Sequence, residues 1–206
     1  MHEAADHIID LYERHAQAWD RVRCEHFIKH FNEQSWLDRF RLVMPNADGR
    51  VLDIGCGAAE PMARYLIDAG HRITGIDSSA SLIAVCEQRF PQHDWRVADM
   101  RELKLDESYS GILAWDSFFH LKPDDQRKMF PIFQAHSLPG TALMFTSGTT
   151  HGEAIGQFEG EPLYHGSLDR AEYLALLETH GFRVVEQVTE DPACGGHTIW
   201  LGVFVE

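Results

Sequence analysis

Basic residues are scarce in this 206-residue chain, which has 18 lysines and arginines against 32 aspartates and glutamates. The formal net charge is therefore −14 at pH 7. Nucleic-acid-binding proteins need basic surfaces that neutralise phosphates, and anionic membranes attract basic surfaces for the same reason. This composition argues against nucleic-acid and membrane partners and favours a small-molecule substrate.

The chain also lacks the features of membrane-spanning and secreted proteins. No apolar run is long enough to cross a bilayer, and residues 1–6 are acidic and contain no apolar core of a signal peptide. The cysteines form neither a C-x-x-C pair nor a disulfide framework, because they are scattered at Cys24, Cys56, Cys86 and Cys194. We therefore expect a cytoplasmic protein, and the length predicts one domain.

A glycine-rich turn follows the first buried strand that the sequence predicts. Residues 51–54 form a short apolar run that contains Asp53, and Gly55, Cys56 and Gly57 come next. Glycine permits a tight turn and lets a ligand approach the backbone, since it has no Cβ. The helix that follows directs its free N–H groups toward the same space. We therefore expect a ligand above the end of this strand.

The residue types in this turn separate two kinds of ligand. A dinucleotide-binding turn has a third glycine where this sequence has Glu60, whose carboxylate would repel a pyrophosphate. Asp53-x-Gly55-x-Gly57 followed by Glu60 resembles motif I of the class I S-adenosylmethionine (SAM)-dependent methyltransferases. SAM has no phosphate and carries a sulfonium and an ammonium, so acidic residues near it are favourable.

Three later segments resemble the next motifs of this family, in the right order and spacing. Asp77 ends the second strand, where dinucleotide and SAM binders both hold ribose hydroxyls. Residues 98–100 resemble the segment that holds adenine, and residues 111–121 resemble the fourth-strand motif beside the methionine part of SAM. The resemblance extends over roughly residues 51–146.

The resemblance implies a set of site residues. His120 is the first candidate for a general base, because the pKa of an imidazole lies near neutrality. Asp116 is the second candidate, and it could instead hold the SAM ammonium. The segment from Tyr12 to Trp19 resembles the part of small-molecule methyltransferases that closes over SAM, although both aromatic residues could equally be core residues. The expected cofactor-binding residues are Tyr12, Trp19, Asp53, Gly55, Cys56, Gly57, Asp77, Ser78, Asp99, Met100 and Trp115.

Strands alternate with helices along the chain, which predicts an α/β fold with a parallel sheet and right-handed crossovers. The resemblance implies a Rossmann-like three-layer sandwich with a mostly parallel seven-stranded sheet, in the order 3-2-1-4-5-7-6, and an antiparallel last strand. We expect N-terminal helices over 2–19 and 21–44, which form a cap over 1–45, and a turn over 45–49. A glycine-rich polar loop over 147–166 is expected to be a lid or acceptor loop. The strands are expected at about 50–54, 72–76, 94–97, 111–115, 141–145, 182–188 and 198–205.

The leading functional hypothesis is a SAM-dependent methyltransferase. Such an enzyme moves a methyl group to O, N or S of a small molecule and leaves S-adenosylhomocysteine (SAH). Alternatives are an enzyme of the same fold that uses another part of SAM, a non-catalytic SAM-binding module and a nicotinamide oxidoreductase. Both a monomer and a homodimer are compatible with the sequence.

Two further classes of site are disfavoured by particular residues. A nucleic-acid methyltransferase would show an Asn/Asp-Pro-Pro-aromatic sequence where this chain has residues 116–119. His151 and His165, with Glu159 or Glu161, could ligate a metal, but their spacing matches no metal motif. We therefore expect no metal in the site.

Overall fold

The computed structural model describes residues 3–46 and 49–205, which form a seven-stranded sheet, a separate two-stranded sheet and helices on both faces of the larger sheet. The order in the large sheet is β3-β2-β1-β4-β5-β9-β8, and β9 is antiparallel to both of its neighbours. This is the expected order once the two strands of the small sheet, β6 and β7, are included in the numbering. The strands are β1 (Arg50–Ile54), β2 (Arg72–Asp77), β3 (Asp94–Val97), β4 (Tyr109–Ala114), β5 (Ser137–Ser147), β6 (Gly152–Phe158), β7 (Glu161–Ser167), β8 (Phe182–Asp191) and β9 (His197–Phe204).

Helices cover both faces of the large sheet, so its central strands are buried on both sides. One core lies under α3, α4 and α5, and the other is an aromatic cluster under α6 and α7 that includes Phe118, Phe133 and Phe145. This arrangement is the expected three-layer sandwich. The helices are α1 (Ile8–Arg14), α2 (Ala16–His30), α3 (Gln34–Val43), α4 (Met62–Asp68), α5 (Ala80–Arg89), α6 (Pro123–Ala135) and α7 (Arg170–Thr179).

The N-terminal helices differ from the sequence expectation in their boundaries. A 3₁₀ turn (Glu3–His7) precedes α1, and the helical conformation is interrupted at His15, between α1 and α2. The expected boundary near residue 20 is wrong, because no glycine or proline interrupts α2 and the helix continues to His30. Leu42, an apolar residue of α3, is 83% exposed. Ala47 and Asp48 of the expected turn lie outside the described residues.

Most of the segment expected to be a loop over 147–166 is a β-hairpin, so the expectation of an irregular loop is wrong, whereas its role as a lid or acceptor segment stays a prediction. β5 continues to Ser147, and β6 and β7 then pair antiparallel along their whole length. Glu159 and Gly160 form its two-residue turn with φ angles of 49° and 83°, which suits the turn types favoured in tight hairpins. The strands were not recognisable in the sequence because β6 is largely exposed and carries no alternating apolar face.

The fifth strand also begins earlier than expected. The sequence predicts its start at about residue 141, whereas the structure begins β5 at Ser137, and the pairing with β4 shifts register between Tyr109 and Gly111. Such a shift accommodates extra residues without ending the strand. None of the helices within residues 3–46 and 49–205 is long and apolar enough to cross a bilayer.

Candidate active site

A cavity of about 200 Å³ lies beyond the carboxyl ends of β1 to β4. In open parallel sheets this edge is where ligands bind. Residues 3–23, which we call the roof, contribute Tyr12, Trp19 and Arg23 to the cavity wall. All thirteen residues that the sequence singled out line this cavity, and their individual roles stay predictions.

The turn after β1 needs its glycines for both conformation and space. Gly55 has a φ of 75°, and a Cβ built there would lie 2.3 Å from the Cβ of Ser117. Gly57 has a φ of 55°, and its Cβ would lie 3.1 Å from the Trp19 indole nitrogen. Glycine alone adopts these backbone angles readily. The turn therefore packs directly between the roof and the segment after β4.

Two carboxylates meet at the ends of β1 and β2. Asp77 accepts hydrogen bonds from the backbone N–H groups of Gly57, at 3.0 Å, and Ser79, at 2.9 Å. Burial raises the pKa of Asp77 despite these bonds. Burial and the negative charge of Asp77 together raise the pKa of Asp53 to about 7. The buried Asp53 and the half-buried Asp77 together favour a positively charged ligand above them.

The segment that follows β3 contributes Asp99 and Met100 to the cavity wall. The Asp99 carboxylate accepts hydrogen bonds from both the backbone and the guanidinium of Arg101. The methyl group of Met100 lies 3.4 Å from the position that a Cβ on Gly55 would occupy. This end of the cavity is therefore closed by Met100 against the glycine turn.

The roof is held down by the β6–β7 hairpin. Phe158 packs against the rings of Tyr12 and Trp19, at centroid distances of 6.0 and 5.7 Å. Glu161 makes ion pairs with Arg14 at 2.5 Å and with His15 at 2.6 Å. The hairpin therefore supports the outer side of the roof, and among the described residues those of 147–166 do not line the main cavity.

His120 is buried and both of its ring nitrogens have hydrogen-bond partners. Its Nδ1 lies 2.8 Å from the carbonyl oxygen of Tyr164, and its Nε2 lies 2.9 Å from the hydroxyl of Tyr12. A carbonyl only accepts, so Nδ1 carries the proton and Nε2 accepts from Tyr12. Burial lowers the pKa of His120 to about 4. The imidazole is therefore neutral, and its lone pair is engaged by Tyr12.

Asp116 follows β4 directly and has a φ of 48°. His197 donates from Nε2 to one oxygen of Asp116 at 2.9 Å, and the Arg23 guanidinium lies 3.5 Å from the other oxygen. Burial alone would raise the pKa of Asp116, but the hydrogen bond and charge of His197, together with Arg23, hold it below its usual value. Asp116 is thus a half-buried carboxylate that stays ionised.

Arg23 and His197 are the residues of this site that the sequence did not identify. The signal available for His197 was topological. An antiparallel strand inserted between β5 and β8 begins at the edge where the parallel strands end, so its first residue lies near Asp116.

Two buried polar atoms in the cavity wall have no hydrogen-bond partner among the described residues. They are Oε2 of Glu60 and Nε1 of Trp115. One is an acceptor and the other is a donor, and buried groups of this kind are normally satisfied. The cavity is therefore suited to a ligand that has both an ammonium or hydroxyl donor and a carboxylate acceptor.

Comparison with known proteins gives a family match in the segment that holds the strand motifs. Residues 51–140 match the family model described as a methyltransferase domain. No curated protein matches the chain by sequence.

Solved structures share the fold at low sequence identity. The 1,6-didemethyltoxoflavin-N1-methyltransferase of Burkholderia thailandensis, with its substrate and SAH bound, has a TM-score of 0.73 and 18% identity, covering 100% of this chain and 90% of that chain. The sugar N-methyltransferase KedS8 from a Streptoalloteichus species has a TM-score of 0.73 and 17% identity, covering 92% of each chain. SAM-bound CalS10, an amino pentose methyltransferase from Micromonospora echinaspora, has a TM-score of 0.68 and 16% identity, covering 85% of this chain and 91% of that chain.

These likenesses show a common fold, and the family match adds the sequence evidence for residues 51–140. The matched segment contains β1 to β4 and the start of β5, and therefore the turns that form the floor of the cavity. The strand order is the one that the resemblance to class I SAM-dependent methyltransferases implied, so the fold and the methyltransferase domain match over residues 51–140 agree.

Proposed function

We propose that this protein transfers the methyl group of SAM to a nitrogen atom of a small-molecule amine. The observation that carries the proposal is the state of the two candidate bases. The lone pair of His120 is engaged by Tyr12, and Asp116 is a carboxylate held between His197 and Arg23. Neither group is a strong base that is free to remove a proton from an alcohol.

The strand order supports a direction for SAM in the cavity. Asp77 ends β2 and would accept hydrogen bonds from the ribose hydroxyls, and Asp99 and Met100 at the next strand would hold the adenine. β1 and β4 lie on the opposite side of β2, so the methionine end would extend toward Asp116 and His120. The methyl group would then face the end of the cavity formed by the roof and the segment after β4.

The charge of the cavity wall suits SAM. Seven acidic residues line it against three basic ones, which favours a ligand with a sulfonium and an ammonium. The free acceptor atom on Glu60 fits the ammonium, and Trp115 and Arg23 are donors for the carboxylate. The acidic residues are Asp6, Asp53, Glu60, Asp77, Asp99, Asp116 and Asp125, and the basic residues are Arg23, Arg101 and Lys122.

An amine suits this environment better than an alcohol. SAM supplies a methyl group made electrophilic by the sulfonium. A neutral amine attacks with its own lone pair and can lose its proton after transfer, whereas an alcohol must lose its proton as it attacks. In the proposal, Asp116 accepts a hydrogen bond from the amine N–H and orients the nitrogen, and the roof excludes water. Two of the structural relatives described above are named as N-methyltransferases.

The proposal also includes where and with what the protein acts. The excess of acidic residues supports a small-molecule acceptor over a nucleic acid. The scattered cysteines support a reducing, cytoplasmic setting, where a monomer or a homodimer would act.

Calorimetric titration with SAM, SAH and NADH is the first test. We expect micromolar binding of SAM and SAH and no binding of NADH. A screen with isotopically labelled methyl-SAM should then find transfer to primary or secondary amines and none to matched alcohols. Binding of NADH without SAM, or transfer to alcohols alone, would contradict the proposal.

A further inference from the structure

The turn between β8 and β9 contacts the end of the cavity at Asp116 and His120, which we call the reaction end. His197 is the first residue of β9, and its neighbour Thr198 pairs with Ser147 at the end of β5. This turn lies outside residues 51–140, which match the methyltransferase domain model. What it contributes to the site therefore comes from this chain and not from the matched motifs.

The two ring nitrogens of His197 both face acceptors. Nδ1 lies 2.7 Å from the carbonyl oxygen of Cys194, and Nε2 lies 2.9 Å from the Asp116 carboxylate. Since neither partner can donate, both nitrogens must carry hydrogens, and the ring is an imidazolium. Trp115 packs against this ring at a centroid distance of 5.3 Å. Hydrogen bonds at two atoms and an aromatic neighbour fix its orientation.

Asp116 keeps one oxygen less strongly engaged than the other. His197 holds the first oxygen at 2.9 Å, while Arg23 is 3.5 Å from the second. Arg23 is shared with Glu33, a fully buried carboxylate that also contacts His26 at 3.1 Å. The second oxygen of Asp116 therefore has room to accept another hydrogen bond from a ligand in the cavity.

The other titratable groups near Asp116 do not compete for this role. His120 is neutral and its two nitrogens bind Tyr12 and Tyr164. The carboxylate of Asp116 is thus an anionic group at this end of the cavity, and it is stabilised by Arg23 in the cavity wall and by His197. Stabilisation by fixed partners means that Asp116 does not need a bound ligand to stay ionised.

We infer that His197 is a positioning residue for the methyl-transfer reaction, holding Asp116 so that its second oxygen points at the amine beside the transferred methyl group. This inference rests on the proposed function. The Nε2–H of His197 keeps the carboxylate in one orientation, and the imidazolium keeps it negative. A neutral side chain at position 197 would leave Asp116 free to turn toward Arg23.

Two known SAM analogues test this without the natural acceptor. Sinefungin carries an amine where SAM has its methyl group, and SAH has no group there. The wild-type protein should prefer sinefungin to SAH, measured as a ratio of Kd values by calorimetry. Asp116→Asn should abolish this preference, and His197→Gln should reduce it about tenfold while the Kd for SAH changes by less than about twofold. His180→Gln, at a half-buried histidine outside the cavity that contacts Gln134, is the matched control.

A second measurement reads the His197 ring directly. In ¹⁵N-labelled wild-type protein at about pH 8, both ring nitrogens of His197 should carry hydrogens. The ring would then be an imidazolium at a pH well above the ordinary pKa of histidine. In Asp116→Asn the ring should lose one proton at this pH. This readout does not depend on activity or on ligand binding.

The outcomes separate the inference from the proposed function. An unchanged sinefungin preference in His197→Gln, with the preference lost in Asp116→Asn, would show that His197 does not position Asp116. Equal weakening of SAH and sinefungin in His197→Gln would assign His197 to site stability instead and would also overturn the inference. A preference that survives in Asp116→Asn would remove Asp116 from the reaction end. Failure of the wild-type protein to bind SAH would overturn the proposed function itself.

Discussion

The two ends of the cavity are built in different ways. The end under β1, β2 and β3 is formed by residues that directly follow strands, within one stretch of about fifty residues from Asp53 to Met100. The end at β4 is assembled from distant positions, with Tyr12, Arg23 and His197 meeting around Asp116 and His120. In the proposed function the first end, which we call the cofactor end, holds SAM through residues close in sequence, and the second is the reaction end, where the methyl group is transferred.

The largest effect should come from filling the glycine turn. Gly55→Val should abolish measurable SAM binding, a loss of at least about a hundredfold, because the side chain would overlap Ser117 at a position with φ of 75°. Calorimetry measures the binding, and circular dichroism checks the fold. Gly70→Val is the control, because Gly70 has a φ of 94° but open space around it. Equal losses in both variants would assign the effect to backbone strain and not to the cofactor end.

The second effect concerns the ribose. Asp77→Ala should weaken SAM binding about ten- to a hundredfold, because it removes the expected ribose acceptor and the carboxylate that receives the Gly57 and Ser79 N–H groups. Asp68→Ala, at an exposed position in α4, is the control. Unchanged affinity in Asp77→Ala would contradict the placement of the cofactor over β2.

The third effect is the pH dependence of the cofactor end. The pKa of Asp53 is raised from 3.8 to about 7, so a cation above it favours the ionised form. SAM affinity should therefore rise about three- to tenfold from about pH 6 to about pH 8 and then level off. Asp53→Asn should remove this dependence. Calorimetry across this range makes the measurement, and a flat wild-type profile would contradict it.

The same carboxyl predicts the opposite trend for stability without ligand. Between its unfolded pKa of 3.8 and its folded pKa of about 7, the folded protein holds a proton that the unfolded chain has lost. Asp53 therefore lowers the free energy of unfolding as pH rises through this window. Urea unfolding at several pH values should show a shallower decline in Asp53→Asn than in the wild-type protein.

The smallest effect should lie at the reaction end. Tyr12→Phe removes the hydroxyl that occupies the lone pair of His120. If the acceptor is an amine that needs no base, the turnover found in the amine screen should change by less than about threefold. A rise or fall of more than about tenfold would show that His120 takes part in proton transfer. That result would contradict the proposed amine mechanism, in which His120 removes no proton.

The sequence predicted the cofactor end well because its information is local. Each strand motif consists of an apolar run followed by the residue that enters the cavity, so Asp53, Asp77 and Asp99 could be placed by position alone. The sheet order was likewise confirmed, and residues 51–140 match the methyltransferase domain model. The identification of Tyr12 and Trp19 as cavity residues depended on family resemblance, because their helical spacing suits a core face equally well.

The rest could not be predicted for physical reasons. The β6–β7 hairpin has no buried apolar face of its own along β6, so it gives no period-two pattern. The hydrogen bond between His197 and Asp116 joins residues 81 positions apart, and it exists only because β9 is inserted beside β5. That the lone pair of His120 is occupied depends on a hydroxyl from the roof, which spacing alone does not place.

The fastening of the roof has a kinetic consequence. Arg14 and Glu161 join the roof to the hairpin through side chains that are 51% and 39% exposed, so dissolved salt screens this link. In the proposed function SAH lies beneath the roof, so the roof must move away from the cavity before SAH dissociates. The residence time of SAH should therefore shorten as ionic strength rises, and Glu161→Gln should shorten it at low salt. Stopped-flow tryptophan fluorescence would record the dissociation of SAH, and a residence time that does not change with ionic strength would contradict this role of the Arg14–Glu161 ion pair.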